Sequence, residues 1–173
     1  MKRYGFWIIP ENDFYQELKK LIRKYSKKYS SPSFVPHMTI HGSVASTDKN
    51  VIEDVLKVAS KIKPFEVEVG EVEFSTTYFQ CIFARMKTSA IMLNTHLALK
   101  KQLKDAENNV FMPHASLVYG DFDMKTREQI VSEIKLKGNK FLANKITIIR
   151  ANSRDPKDWS TVEHIRFKLN TIQ

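Results

Sequence analysis

Seven residues recur in this chain in nearly the same form. Phe34-Val35-Pro36-His37-Met38-Thr39-Ile40 lies in the first half and Phe111-Met112-Pro113-His114-Ala115-Ser116-Leu117 in the second. Each copy reads aromatic, apolar, proline, histidine, any residue, hydroxyl, apolar, and each follows a helical segment and a polar turn. The period of two in a strand puts His37 and Thr39 on one face, and likewise His114 and Ser116. The proline before each histidine has a fixed φ and keeps its own predecessor extended, so each histidine enters its strand at a defined angle. A chain that contains this unit twice is expected to fold as one domain, residues 1–173, of two pseudo-symmetric lobes facing a cleft.

The stretches between the copies alternate strand and helix patterns. Tyr4 to Ile9 is a short apolar strand ended by Pro10. Asn12 or Asp13 can cap a helix to about Tyr29, with Phe14, Leu18, Leu21, Ile22, Tyr25 and Tyr29 on one face and Lys20, Lys24, Lys27 and Lys28 solvated on the other. Phe34 to Gly42 reads as a strand, and Thr47 or Asp48 opens a second helix ending before Pro64. Phe65 to Phe74 alternates apolar residues with Glu66, Glu68, Glu71 and Glu73, and Gly70 slips the phase as a bulge does. Tyr78 to Met86 follows as its partner strand. Thr88 or Ser89 caps a third helix to about Asp105, Asn108 and Asn109 turn the chain, and Phe111 to Tyr119 is a strand. Asp123 opens a fourth helix to about Leu136, and Phe141 to Ile149 and Glu163 to Leu169 close the chain. The expected class is α+β, with antiparallel or mixed sheets around a central cleft and helices outside.

With 173 residues the chain can bury a core without covalent staples. The only cysteine, Cys81, cannot form an internal disulfide, and a reducing, cytoplasmic compartment is expected. The run Phe6-Trp7-Ile8-Ile9 is too short for a secretory signal core, and no stretch is long and apolar enough for a membrane helix. A monomer without a membrane partner is expected. A net charge of +9 attracts anions such as phosphates or RNA, although a solvated basic surface has the same composition.

Two opposed histidines can do acid–base chemistry without a metal or cofactor. An imidazole titrates near ~6.5, so one can stay neutral and take a proton from water while the other, charged, protonates a leaving oxygen. Thr39 and Ser116 can donate hydrogen bonds to non-bridging phosphate oxygens, where charge builds up in the transition state. A single Pro-His-x-Thr is usually structural. Two copies arise by chance on the order of once in several thousand chains of ordinary composition.

The two His-x-Thr/Ser motifs resemble those of the 2H phosphoesterase superfamily, and the closest branch is the plant and yeast type of cyclic phosphodiesterase. The resemblance runs over nearly the whole chain and includes Phe79-Gln80-Cys81, Tyr119, Trp7 and Trp159. It implies a two-lobed α+β fold and hydrolysis of 2′,3′-cyclic nucleotides to 2′-phosphates, or of ADP-ribose 1″,2″-cyclic phosphate to the 1″-phosphate. It implies that His114 activates water and that His37 protonates the leaving oxygen, although the sequence alone leaves that assignment open. It also implies that Trp7 and Phe79 flank a base or ribose, and that Tyr119 bonds the phosphate. Strict alternation from His114 would turn Tyr119 away from the cleft unless a strand end or bulge rotates it back. His41 shares the alternating face of His37 and Thr39, and is expected to lie past the cleft.

Other readings have less behind them. His37, His41 and His114 could bind zinc in principle, but residues four apart on a strand lie about two pleats apart and no carboxylate or cysteine is near in sequence. Related branches act on RNA ends, 2′,5′-linked oligoadenylates or cyclic oligonucleotide signals, so a short oligonucleotide substrate stays open. A non-catalytic RNA-binding module could use Lys27, Lys28, Lys100 and Lys101, but it leaves the doubled motif unexplained. His96, His164 and Cys81 are expected to be structural, Glu66 to Glu73 to face solvent, and Trp159 to anchor a terminal loop.

Overall fold

A computed structural model describes residues 1–105 and 110–168. The turn expected at Asn108 and Asn109, and the end of the last strand at Leu169, lie outside the described residues. The strands are β1 (Lys2–Ile8), β2 (Met38–Ser46), β3 (Phe65–Phe74), β4 (Ile82–Met86), β5 (His114–Val118), β6 (Lys140–Ala143), β7 (Lys145–Arg150) and β8 (Ser160–Arg166). The helices are α1 (Asn12–Tyr29), α2 (Asp48–Ala59), α3 (Ala90–Gln102) and α4 (Met124–Glu133). All eight strands join one sheet, in the order β6-β3-β4-β5-β2-β1-β7-β8. Every pairing is antiparallel. The fold is α+β, and no helix of the described residues is long and apolar enough to cross a membrane.

Local chemistry explains most of the elements. Thr47, Ser89 and Asp123 each accept a backbone N–H of the first turn of α2, α3 and α4. In α1, Phe14, Leu18, Ile22 and Tyr25 recur at helical spacing and are buried. In β3, Phe65, Val67 and Val69 point into the core while the glutamates face solvent and pair with Lys140, Lys87, Lys137 and Arg85. The expected slip at Gly70 is a register shift between Val69 and Val72. A Cβ at Gly70 would lie 3.2 Å from the Arg85 carbonyl oxygen, so the close strand approach favours glycine.

Several boundaries differ from the sequence pattern, each for a physical reason. The strands expected from Phe34 and Phe111 begin at Met38 and His114, because Pro36 and Pro113 have no N–H to add to a ladder. The strand expected from Tyr78 starts at Ile82. Before it, Ser75 and Thr77 bond the backbone of their own loop: Ser75 Oγ donates to the Gln80 carbonyl at 2.8 Å and Thr77 Oγ1 accepts the Gln80 N–H at 3.2 Å. Helix α4 stops at Glu133 rather than Leu136, since Ile134 and Leu136 leave the helix to be buried in the core. The run Phe141 to Ile149 is two strands, β6 pairing with β3 and β7 with β1 and β8. The last strand opens at Ser160, not Glu163, and α3 ends at Gln102, not Asp105.

The core lies between the sheet and the helices. Helices α2 and α3 pack on each other, α2 packs on β7 and β8, and α3 on β2, while α1 packs on β5 and α4 on β3 and β4. Met38, Ile40, Ala115 and Leu117 from the two central strands point into this core. Their alternate neighbours therefore face the other side of the sheet.

Candidate active site

The two motif strands are neighbours at the middle of the sheet and pair at Met38 opposite Ala115. In antiparallel geometry this register sets His37 across from Ser116 and Thr39 across from His114. Each histidine thus faces the hydroxyl of the other motif. The two histidines are diagonal neighbours, a relationship that separates Cα atoms by about 7–8 Å. Both line one cavity of about 460 Å³, together with Thr39, Ser116, Tyr119, Phe79 and Trp7. Every residue singled out in the sequence for the site therefore borders the same hollow.

Both imidazoles are held alike. His37 Nδ1 lies 2.6 Å from the Val35 carbonyl oxygen, and His114 Nδ1 lies 2.7 Å from that of Met112. A carbonyl accepts only, so Nδ1 carries the proton in each ring and Nε2 is the working nitrogen. The proline between makes this geometry local: it holds the chain so that each histidine reaches the carbonyl two residues back. Burial lowers the His37 pKa to about 4, against the upward effect of the Val35 carbonyl and with a small further push from His114. His114 is lowered in the same sense, first by burial, with the Met112 carbonyl opposing and Arg85 adding to the shift. In the free protein at neutral pH both rings are uncharged and can accept a proton at Nε2.

The hydroxyls differ. Thr39 makes no side-chain hydrogen bond among the described residues. Ser116 Oγ donates to the Phe79 carbonyl at 2.8 Å and so ties the loop before β4 to β5. Arg127, buried in α4, holds the other end of that loop: Nε donates to the Phe122 carbonyl at 2.7 Å and Nη1 to that of Ser75. The bulge needed for Tyr119 is present. Ile82 pairs with Val118 but Phe83 pairs with Ser116, so Leu117 is the extra residue, Val118 packs in the core and Tyr119 turns to the cavity. Tyr119 stacks on Phe34 with centroids 3.8 Å apart, and burial raises its phenol above the ordinary value, which keeps it a neutral donor. Gly120 follows because a Cβ there would lie 2.6 Å from the Phe122 ring.

Trp7 is only 6% exposed, with one face of its indole flat on His37, and it still lines the cavity. Trp159 does anchor its loop, since Nε1 donates to the Ser153 carbonyl at 2.8 Å, but it also lines the cavity and meets Trp7 edge-on at 5.5 Å. Thr77, Gln80 and Ser43 line it too. Gln80 falls within the stretch that carries the family resemblance, but no role was read for any of the three, because their direction depends on loops and bulges.

His41 lies on the other side of the sheet. Two register shifts bracket its pairing with Phe6, between Tyr4 and Phe6 and between Phe6 and Trp7. They rotate His41 onto α3, where Nδ1 is 3.4 Å from His96 Nδ1 and Nε2 is 3.1 Å from Asp105 Oδ2. The same bulge turns Gly42 and Ser43 to the cavity. The zinc arrangement of His37, His41 and His114 therefore fails on geometry, and no group of three or more His, Cys, Asp or Glu among the described residues fits a metal. His164 bonds Thr147, and Cys81 is buried. Two larger surface hollows are present, and neither is lined by a histidine.

The family described as cyclic phosphodiesterase-like protein matches residues 1–167. The cyclic phosphodiesterase of Arabidopsis thaliana is 23% identical over 166 residues, 92% of each chain. Among solved structures, TT0787 of Thermus thermophilus aligns with a TM-score of 0.71 at 12% identity, over 97% of this chain and 99% of its own. E. coli LigT in complex with NADP+ aligns with a TM-score of 0.68 at 13% identity, over 97% of this chain and 98% of its own.

Proposed function

The chain belongs to the cyclic phosphodiesterase-like family of hydrolases, and from that premise we propose that it hydrolyses 2′,3′-cyclic nucleotides or ADP-ribose 1″,2″-cyclic phosphate, using His37 and His114. The observation that supports this most is the register of β2 against β5, which pairs each histidine with the hydroxyl of the opposite motif around one cavity. A phosphorus at its centre has an imidazole and a hydroxyl on either side. The nucleotide ligand in the LigT complex agrees with a nucleotide-sized substrate.

His114 Nε2 takes a proton from water, and the water oxygen attacks phosphorus. The bond from phosphorus to one ribose oxygen breaks, and His37 Nε2 gives that oxygen its proton. On a 2′,3′-cyclic nucleotide the 3′ oxygen leaves and the product is the 2′-phosphate. Thr39 holds one non-bridging oxygen directly. Ser116 does so by rotating its proton from the Phe79 carbonyl, with the Tyr119 phenol beside it. Phe79 and the edge of Trp7 border the ribose or base.

His37 must be charged for this, and the substrate itself charges it. A phosphate anion about 4 Å away at an effective dielectric of about 20 favours the imidazolium by about 4 kcal/mol, or about three pKa units. That acts against the lowering that burial imposes on His37. The π face of Trp7, 3.5 Å from His37, also favours the cation there, while His114 meets Phe83 at 5.4 Å, a looser contact, which supports His37 as the acid.

The test is hydrolysis of a panel with chelator present: 2′,3′-cyclic mononucleotides, ADP-ribose cyclic phosphate, 2′,5′-oligoadenylate and cyclic dinucleotides. Turnover of the first two is expected, with loss of about 10²-fold or more in His37→Ala and His114→Ala. Unchanged turnover in either folded variant overturns the assignment. RNA binding without any hydrolysis favours the non-catalytic alternative.

A further inference from the structure

Helix α3 is apolar on more than the side that packs inward. Met92, Thr95 and Leu99 are buried. Ile91, Leu93 and Leu97 turn outward instead and are 36%, 37% and 56% exposed. A surface helix ordinarily presents polar residues there, and large apolar side chains gathered on an exposed face mark a surface that binds something. Ile91 and Ala98, with Val58 of α2 and Ile62 just after it, line a groove of about 880 Å³ between the two helices. Leu97 adjoins this groove, one helical turn from both Asn94 and Lys101 of its lining.

The same groove is basic. Lys57, Lys61, Lys63 and Lys101 line it and are exposed, and no Asp or Glu among the described residues does so. Lys61, Lys63 and Lys101 make no side-chain hydrogen bond or ion pair among the described residues. Asp54, one turn before Lys57, is already engaged: it accepts from Gln102 Nε2 at 2.8 Å and pairs with Lys57 at 3.4 Å. An apolar groove with unpaired cations complements a ligand that is apolar along one side and acidic beside it.

The walls favour a helix as that ligand. Ile91, Asn94, Ala98 and Lys101 follow one another at steps of three and four residues along α3, a row about 15 Å long at about 1.5 Å per residue. Such a row, with small Ala98 within it, accepts the ridge of a third helix. A strand would find no partner there, since the helical walls have already paired their own N–H and C=O groups. No aromatic ring lines the groove for a base to stack on, which disfavours RNA. A flat lipid surface reaches Leu97 but not the recessed Val58, which is 6% exposed.

We propose that the groove between α2 and α3 docks an acidic amphipathic helix of a partner protein, with its apolar stripe on Ile91, Ala98 and Ile62 and its carboxylates on Lys61, Lys63 and Lys101. The groove is on the helix side of the sheet and shares no lining residue with the catalytic cavity. The partner and a substrate can therefore be bound together, and the inference does not depend on the catalytic reading.

Fluorescence anisotropy of the full chain with a labelled synthetic peptide tests it. The probe is a helix of about 18 residues with leucines along one face and glutamates on both flanks. Binding is expected with a Kd of about 10 μM. It is expected to weaken about tenfold or more in the double variant Lys61→Glu, Lys101→Glu and in Ile91→Gln, with far-UV circular dichroism showing that both are folded. Exchanging the peptide's leucines for serine, or its glutamates for glutamine, is expected to weaken it as much. Absence of binding by the probe, equal binding by the serine peptide, or unchanged binding in the lysine variant overturns the proposal. Binding of oligoadenylate or phosphatidylserine vesicles through Lys61 and Lys101 in place of the peptide overturns it too.

Discussion

The indole of Trp7 lies flat against the imidazole of His37, with ring centroids 3.5 Å apart and planes 11° from parallel. The regular register of β1 on β2 at this end brings this about, because Trp7 pairs with Thr39 and so stands beside the start of β2. The contact excludes water from His37 and offers it a π face. Burial disfavours the charged ring in the free protein, and the π face partly compensates once a phosphate anion arrives.

Replacing Trp7 tests this division of labour. In Trp7→Leu, kcat is expected to fall roughly 3- to 30-fold, the worth of a cation–π contact, with KM changed less. Losing the π face lowers the His37 pKa in the complex, so the alkaline limb of the kcat profile moves to lower pH. Trp7→Phe keeps a stacked ring and recovers most of the rate. A change in KM alone, varying with the base and leaving the pH profile in place, would instead mark Trp7 as a base contact.

The wild-type pH profiles should differ from each other. The rate at low substrate, kcat/KM, reports the free enzyme, where burial depresses both His37 and His114. The rate at saturation, kcat, reports the complex, where the bound anion raises the pair. The bell of kcat/KM is therefore expected at lower pH than the bell of kcat. Coincident bells would mean that substrate charge does not act on the pair.

Folding stability should fall on mild acidification. His37 titrates near 4 folded and near 6.5 unfolded. Below 6.5 the unfolded chain binds the extra proton, so stability present above 6.5 is lost as pH falls toward 4. The shift allows His37 to contribute up to about 3 kcal/mol to this loss. His114 and His41, both also lowered mainly by burial, act in the same direction. Urea denaturation at pH 7, 5 and 4 checks it, and His37→Leu is expected to flatten the dependence.

The two motif hydroxyls should separate on stability. Ser116→Ala removes the donor to the Phe79 carbonyl and is expected to cost about 1 kcal/mol in addition to lost turnover. Thr39→Val removes a hydroxyl with no protein partner among the described residues, so stability is expected to change by less than about 0.5 kcal/mol while turnover falls. Chemical denaturation and steady-state kinetics on the two variants decide it. Equal stability losses would contradict the different bonding of the two side chains.

Arg127 offers a test of the loop that carries Phe79. Its guanidinium is buried and holds the carbonyls of Phe122 and Ser75. Arg127→Met is expected to cost about 1.5–3 kcal/mol, and to raise KM through a loosened loop without moving the pH profiles. A KM equal to wild type in the folded variant would show that the loop keeps its place without Arg127.

Short-range chemistry makes much of this legible in the sequence. Pro36 and Pro113 set the angle at which each histidine enters its strand, and in the structure each ring bonds the carbonyl two residues back. The helix caps at Ser89 and Asp123 and the bulge at Gly70 were equally local. Where the pattern misled, a long-range term prevailed. Ile134 and Leu136 continue a helical spacing but leave the helix to reach the core, and Phe141 to Ile149 divides because its two halves meet different partners.

By itself, then, the sequence determined most of the strand-and-helix order, the two motifs and the angle at which each histidine enters its strand, because these depend on residues a few positions apart. Only the tertiary structure decided which residues share the cavity. Bulges at His41 and Leu117 exclude one histidine and admit Tyr119, and the register of β2 on β5 brings each imidazole to the other motif's hydroxyl. A one-residue slip reverses every side chain beyond it, and where that slip falls is set by pairing between strands far apart in the chain.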